Sequence, residues 1–192
     1  MSGKFTVIVI TSPSEIEDEA AKISRLLDAG VDFVHIRKPD WSLREVRDLI
    51  EQIDYPKRKK LRLHGHFELL NEMNLAGVHL NSRNPKAPPT TRSVTKSCHS
   101  LDEISLAEGY DYVTLSPIYD SISKAGYKAK FDIDSLRPVI AGRKVIALGG
   151  VTPEKFGELA EKGFSGASLL GYIWNGDFDT SLLRIKEAVS KL

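Results

Sequence analysis

The chain of 192 residues has a single cysteine, Cys98, only two methionines and two tryptophans, and almost no charge imbalance, with 27 basic side chains against 26 acidic ones. One cysteine excludes an internal disulfide and fits a reducing compartment. A formal net charge of +1, with Lys and Arg spread along the chain, lacks the basic footprint of a nucleic-acid binder, so no nucleic-acid partner is expected. No apolar run approaches the length of a membrane span, and Met1-Ser2-Gly3-Lys4 leads into a strand-like run without the regions of a signal peptide. The expectation is a cytoplasmic protein with no membrane partner. Mixed charge on the helical faces leaves a homo-oligomer open.

With 41% hydrophobic and 28% charged residues, the chain can bury the core of one domain, expected to span residues 1–192. Short β-branched runs alternate with amphipathic stretches, the pattern of βα units around a parallel sheet. Strands are expected at Phe5 to Thr11, Asp32 to Arg37, Lys60 to His64, Gly77 to Asn81, Ser93 to Cys98, Tyr112 to Ile118, Lys144 to Leu148 and Gly166 to Tyr172. Helices are expected at Glu15 to Ala29, Leu43 to Ile53, Phe67 to Asn74, Leu101 to Glu108, Ile133 to Ile140, Pro153 to Lys162 and Thr180 to Leu192. Between Ser82 and Thr91, Pro85, Pro88 and Pro89 cannot sustain a helix. The fold class is therefore α/β, a (β/α)8 TIM barrel in which the helix after strand four is missing or reduced to a loop, with a doubly wound sheet as the fallback.

The run Val145 to Glu154 ends a buried strand in Gly149-Gly150 and opens a helix with Thr152-Pro153, and a second buried run ends at Gly171 beside Tyr172. Glycines there let main-chain amides approach an anion closely, and Thr152 is placed to cap the following helix. Gly149, Gly150, Gly171 and Tyr172 are the expected phosphate-binding residues.

Four runs carry a family resemblance: Gly30-Val31-Asp32-Phe33-Val34-His35-Ile36-Arg37-Lys38, Ala76-Gly77-Val78-His79-Leu80, Ser97-Cys98-His99-Ser100-Leu101-Asp102-Glu103 and Ala147-Leu148-Gly149-Gly150-Val151-Thr152-Pro153-Glu154. In order and spacing the chain resembles the thiamin phosphate synthase and TenI (thiazole tautomerase) family. The resemblance implies a barrel enzyme of thiamin biosynthesis whose partner is a small phosphorylated thiazole or pyrimidine.

In the synthase a Gln-x-Arg-x-Lys run faces pyrophosphate; here His35-Ile36-Arg37-Lys38-Pro39 keeps the guanidinium, replaces the glutamine and shifts the lysine to the opposite face. The synthase's two Mg²⁺-binding carboxylates match Gly65, in His64-Gly65-His66, and Asn84. Their loss points to the TenI branch, with no cofactor required; Mg²⁺ belongs to the synthase reading. Ser116-Pro117-Ile118-Tyr119-Asp120-Ser121-Ile122-Ser123-Lys124 instead matches the synthase's polar loop, and Pro117 stands where the tautomerase branch has its proton-transferring histidine. The resemblance places Arg37, Ser97, Ser121 and Ser123 against substrate and Lys124 among the catalytic residues. His35, His64 and His66 are candidates to move a proton. His79, bracketed by Val78 and Leu80, reads as a core histidine, and no His or Cys spacing matches a zinc motif.

Three functions remain: a thiazole tautomerase, which is favoured, a thiamin phosphate synthase, and a non-catalytic binder of thiazole phosphate or thiamin phosphate.

Overall fold

Period-two alternation builds a closed barrel. The computed structural model describes residues 4–89, 91–121 and 128–192. Its strands are β1 (Thr6–Ile10), β2 (Phe33–Ile36), β3 (Leu61–Leu63), β4 (Gly77–Leu80), β5 (Val94–Cys98), β6 (Val113–Leu115), β7 (Val145–Leu148) and β8 (Gly166–Leu169). They pair in parallel in sequence order, and β8 returns to β1 through Thr6 opposite Gly166 and Val9 opposite Leu169. The helices are α1 (Glu19–Asp28), α2 (Leu43–Glu51), α3 (Tyr55–Arg58), α4 (Leu69–Glu72), α5 (Leu101–Ser105), α6 (Arg137–Ile140), α7 (Phe156–Glu161), α8 (Gly171–Trp174) and α9 (Phe178–Val189). Among the described residues no helix lies between β4 and β5, where the prolines cluster, so the reduced connection after strand four is as expected.

One side of each strand faces the helices. Val34, Ile36, Leu61, Leu63, Val78 and Leu80 join Ile23, Leu26, Leu49, Ile50 and Leu69 in one apolar cluster, and each such side chain, fully buried, contributes about 1.5–3 kcal/mol. The alternate set points inward. There Ile8, Tyr112 and Ile146 form a separate apolar group with Phe33. Toward the strands' carboxyl ends the interior becomes polar, because the inward parity carries His35, His64, His79, Thr95 and Ser97.

Capping places the loops that reach the barrel mouth. Ser42 opens α2 with a reciprocal capping box: its Oγ accepts from the Glu45 amide at 3.3 Å, and its own amide donates to Glu45 Oε2 at 2.7 Å. Several expected boundaries move. The chain before α1 is a turn with Asp18 at φ 53°, so that helix starts at Glu19 and not Glu15. The stretch Ile133 to Ile140 splits into a 3₁₀ turn and α6, whose first turn takes Pro138. Pro153 likewise starts a 3₁₀ turn ahead of α7, and Thr152 stands at its start without donating or accepting a side-chain cap bond, contrary to expectation. The last strand stops at Leu169, so Gly171 and Tyr172 belong to α8 rather than to a strand.

Candidate active site

The carboxyl ends of the strands open into a cavity of about 680 Å³. Arg37 and Pro39 leave β2 into its wall, His64, Gly65 and His66 follow β3, and Asn81 to Asn84 follow β4. Ser97 and His99 contribute from the end of β5, and Ile10, Leu148 and Leu170 supply apolar wall.

Three imidazoles form the floor. His35, His64 and His79 are 0%, 8% and 1% exposed, so only His64 reaches the cavity surface. His35 Nδ1 lies 2.9 Å from His64 Nε2, and His35 Nε2 lies 2.7 Å from the Tyr112 hydroxyl. His79 Nδ1 is 2.8 Å from Thr95 Oγ1, and His79 Nε2 is 2.9 Å from Ser97 Oγ. The His64 and His79 rings stack with centroids 4.3 Å apart. Burial holds His35 and His64 well below the ordinary imidazole range and takes His79 down to about 3, each ring also feeling a neighbouring imidazole or guanidinium. All three are neutral at neutral pH. His79 is a core histidine, as expected, closed to the cavity with both ring nitrogens engaged, and its ring packs beneath His64. The signal was its parity: with Val78 and Leu80 turned outward, His79 points to the barrel axis beside His35 and His64.

The three rings offer nitrogens within 4.8 Å of one another, close enough to suggest a metal cluster. The surroundings oppose a dication. Arg62 lies close enough to depress both His35 and His79, no carboxylate backs any ring among the described residues, and five of the six ring nitrogens already have hydrogen-bond partners within the barrel.

Mg²⁺ takes oxygen donors, and the resemblance implies that they would come from the residues at the ends of β3 and β4. Gly65 offers no side chain, and a Cβ there would sit 3.3 Å from Asn84 Nδ2. The amides of Asn81 and Asn84 each donate to the His64 carbonyl at 2.8 Å, and Asn81 Oδ1 accepts from the amides of Arg83 and Asn84. Glu68 is the one carboxylate among the described cavity residues. The residues present do not fit a hard dication; the two asparagines are spent on locking the backbone that carries His64.

His66 takes φ 51° and its Nε2 donates to the Trp41 carbonyl at 2.8 Å, tying the end of β3 to the start of α2 while its ring lines the cavity. His99 is exposed, with Nδ1 3.1 Å from Ser116 Oγ.

For anions, Arg37 lines the cavity and forms no ion pair with a described carboxylate, so a rim ion pair does not account for it. Arg83 is exposed and 3.5 Å from Asp40. Gly149 and Gly150 have φ 93° and 65°, and a Cβ on either would collide with the chain after β6, 2.8 Å from Pro117 Cα or 2.2 Å from the Asp120 carbonyl oxygen. Among the described residues the amides of Gly149, Gly150, Gly171 and Tyr172 donate to no protein acceptor. These four residues lie beyond Leu148 and Leu170 and are not in the cavity lining itself. Ser121 is half-buried and engaged within the protein. Ser123 and Lys124 lie outside the described residues. Trp174 donates its indole N–H to the Ile10 carbonyl at 2.7 Å and packs on Phe178.

A sequence profile described as thiamine monophosphate synthase (TMP-TENI) matches residues 7–173. A crystal structure described as thiamine phosphate pyrophosphorylase from Bacteroides thetaiotaomicron superposes with a TM-score of 0.85 at 31% identity, covering 98% of each chain. Curated proteins named thiamine-phosphate synthase from Levilactobacillus brevis and Bacillus licheniformis are 26% and 27% identical over 137 and 140 residues, 65% and 68% of this chain. The matched stretch spans 63% and 61% of those two proteins.

Proposed function

Because the chain belongs to the thiamine monophosphate synthase family, we propose that it is an enzyme of thiamin biosynthesis that moves a proton on carboxythiazole phosphate, the tautomerase reaction of the TenI branch. One observation carries this reading: neutral imidazoles floor the cavity while the ends of β3 and β4 lack the carboxylates that metal-assisted loss of pyrophosphate requires. A neutral imidazole can take a proton from carbon and return it at another position without net change in the enzyme. Arg37 supplies fixed positive charge to the substrate's anionic groups. The free amides of Gly149, Gly150, Gly171 and Tyr172 receive the phosphate, and Ser97 Oγ contacts the ring from the floor. The partner is a small phosphorylated heterocycle, with no nucleic acid or membrane surface involved.

The second reading is the synthase, coupling hydroxymethylpyrimidine diphosphate to thiazole phosphate with Mg²⁺. Its support is the name carried by the relatives and the unpaired Arg37. Parallel assays separate the two. On our reading the purified protein converts the carboxythiazole phosphate tautomer in the presence of EDTA and makes no thiamin phosphate from both synthase substrates with Mg²⁺. Thiamin phosphate formation at a rate above that of tautomer conversion overturns the reading, and binding without either turnover leaves a non-catalytic binder.

A further inference from the structure

In the closed barrel β3 lies four strands from β7, and β4 four strands from β8, so the ends of β3 and β4 face the Gly149 and Gly171 rim from across the cavity. Two cations stand on that far side. Arg37 leaves β2, Arg83 comes from the connection after β4, and both line the cavity. Arg83 leans toward the end of β2: its Nη1 lies 3.5 Å from the Pro39 carbonyl oxygen, two residues beyond Arg37, and 3.5 Å from Asp40 Oδ1. The two guanidiniums feel one another. Burial lowers Arg37 from its ordinary value, the Arg83 charge adds to that shift, and Asp40 opposes it.

Like charges on one wall repel, and an anion between them removes that cost. The chain itself supplies little negative charge there. Arg37 bonds Thr11 through its main chain, while its guanidinium has no hydrogen-bond or ion-pair partner among the described residues. The Arg83 and Asp40 side chains are 63% and 82% exposed, so water screens their pairing. Glu68 lines the cavity and pairs with neither guanidinium. Hydrogen bonds within the chain set the loop that carries Arg83. Asn81 and Asn84 exchange main-chain bonds at 3.2 and 3.1 Å, the Arg83 amide donates to Asn81 Oδ1 at 3.1 Å, and both asparagine side chains hold the His64 carbonyl. A cation thus stands one residue before Asn84, the position at which the resemblance puts a Mg²⁺-binding carboxylate in the synthase.

We propose that Arg83, together with Arg37, seats a second anionic group of the ligand without metal, across the cavity from the rim proposed to hold phosphate. Arg37, the less exposed of the two, attracts any anionic part of a ligand, and Arg83 selects for the second one. Naming that group rests on the tautomerase reading above; the seat does not. On that reading it is the carboxylate carried by the thiazole, whose planar shape suits guanidinium N–H donors. On the synthase reading it is the diphosphate of the pyrimidine.

Calorimetric titration of the full chain in EDTA tests the seat with three probes: the carboxythiazole phosphate product, thiazole phosphate without the carboxylate, and hydroxymethylpyrimidine diphosphate. The native protein binds the carboxylated ligand more tightly than the one without, and replacing EDTA by Mg²⁺ leaves that preference unchanged. Arg83→Gln weakens carboxythiazole phosphate about fivefold and thiazole phosphate less than about twofold, and Arg83→Lys restores most of the preference. A thermal melt of each variant matches the native protein, since the side chain is exposed. Equal weakening of both thiazole ligands, no weakening of any probe, or a preference that appears only with Mg²⁺ overturns the proposal. Weakening confined to the pyrimidine diphosphate in EDTA would uphold the seat and sink the tautomerase reading instead.

Discussion

The ammonium of Lys38 lies 2.6 Å from the Glu19 carboxylate, and both side chains are closed to solvent. Lys38 follows Arg37 by one residue and so takes the opposite parity: Arg37 turns to the cavity while Lys38 turns back to the first residue of α1. Its ammonium also donates to the Ser14 carbonyl at 2.7 Å and lies 4.4 Å over the Trp41 ring. Burial raises the Glu19 carboxyl and lowers the Lys38 ammonium relative to their ordinary values, each partner opposing that shift in the other. The contact is one of charges more than of a well-aligned hydrogen bond, since neither Glu19 oxygen has a hydrogen-bond donor of good geometry.

Removing one partner strands the other. Lys38→Met is expected to destabilise the protein by about 3–5 kcal/mol, and the double variant Lys38→Met with Glu19→Gln to recover part of that loss. Urea unfolding of the single and double variants measures both values. A double variant no more stable than Lys38→Met would show that the buried carboxylate is not the cost.

Arg37 has the opposite profile. With no described ion pair to lose, Arg37→Ala is expected to change stability little but to weaken thiazole phosphate binding by about 1–3 kcal/mol. Calorimetric titration with the phosphorylated ligand reads the second quantity and a thermal melt the first.

The imidazole floor makes stability depend on pH. In the unfolded chain each histidine titrates near 6.5, whereas in the fold His35 and His64 lie well below that and His79 near 3. The unfolded state therefore binds more protons below about pH 6.5, and stability falls as pH drops, by about 1.4 kcal/mol per pH unit for each ring. His79→Gln should flatten the slope between about pH 6 and pH 4 by close to one proton, seen in urea midpoints across that range.

Gly150 tests the packing beneath the rim proposed to hold phosphate. Its φ of 65° and the 2.2 Å approach of a Cβ to the Asp120 carbonyl make Gly150→Ala costly in both backbone strain and displacement of the segment after β6. A loss above about 1 kcal/mol is expected, read by denaturant unfolding. The same variant should weaken phosphoester binding, because the displaced rim no longer holds its amides together.

Much of the barrel is legible in the sequence because parity is a local property. Val34, Ile36, Leu61 and Leu63 mark the outward face of their strands by residue type alone, and Pro85, Pro88 and Pro89 mark the missing helix. Element ends are less legible. Thr152 and Pro153 announce a helix start, yet nothing local says that the start is 3₁₀ rather than α. Gly171 ends an apolar run that continues through Tyr172 and Ile173, so nothing local says the strand stops at Leu169. At the site, His35, His64 and Arg37 are readable from the strand ends that carry them. His79 is readable as a core histidine from Val78 and Leu80, but its partners Thr95 and Ser97 are not, because they come from another strand. The role of Lys38 depends on Glu19, nineteen positions earlier and on another element.

The most direct measurement is deuterium incorporation into carboxythiazole phosphate by EDTA-treated protein in D₂O. A neutral imidazole floor working without metal predicts solvent deuterium in the product, lost in His64→Gln. Product free of deuterium, together with thiamin phosphate formed only when Mg²⁺ and both synthase substrates are supplied, would contradict the account.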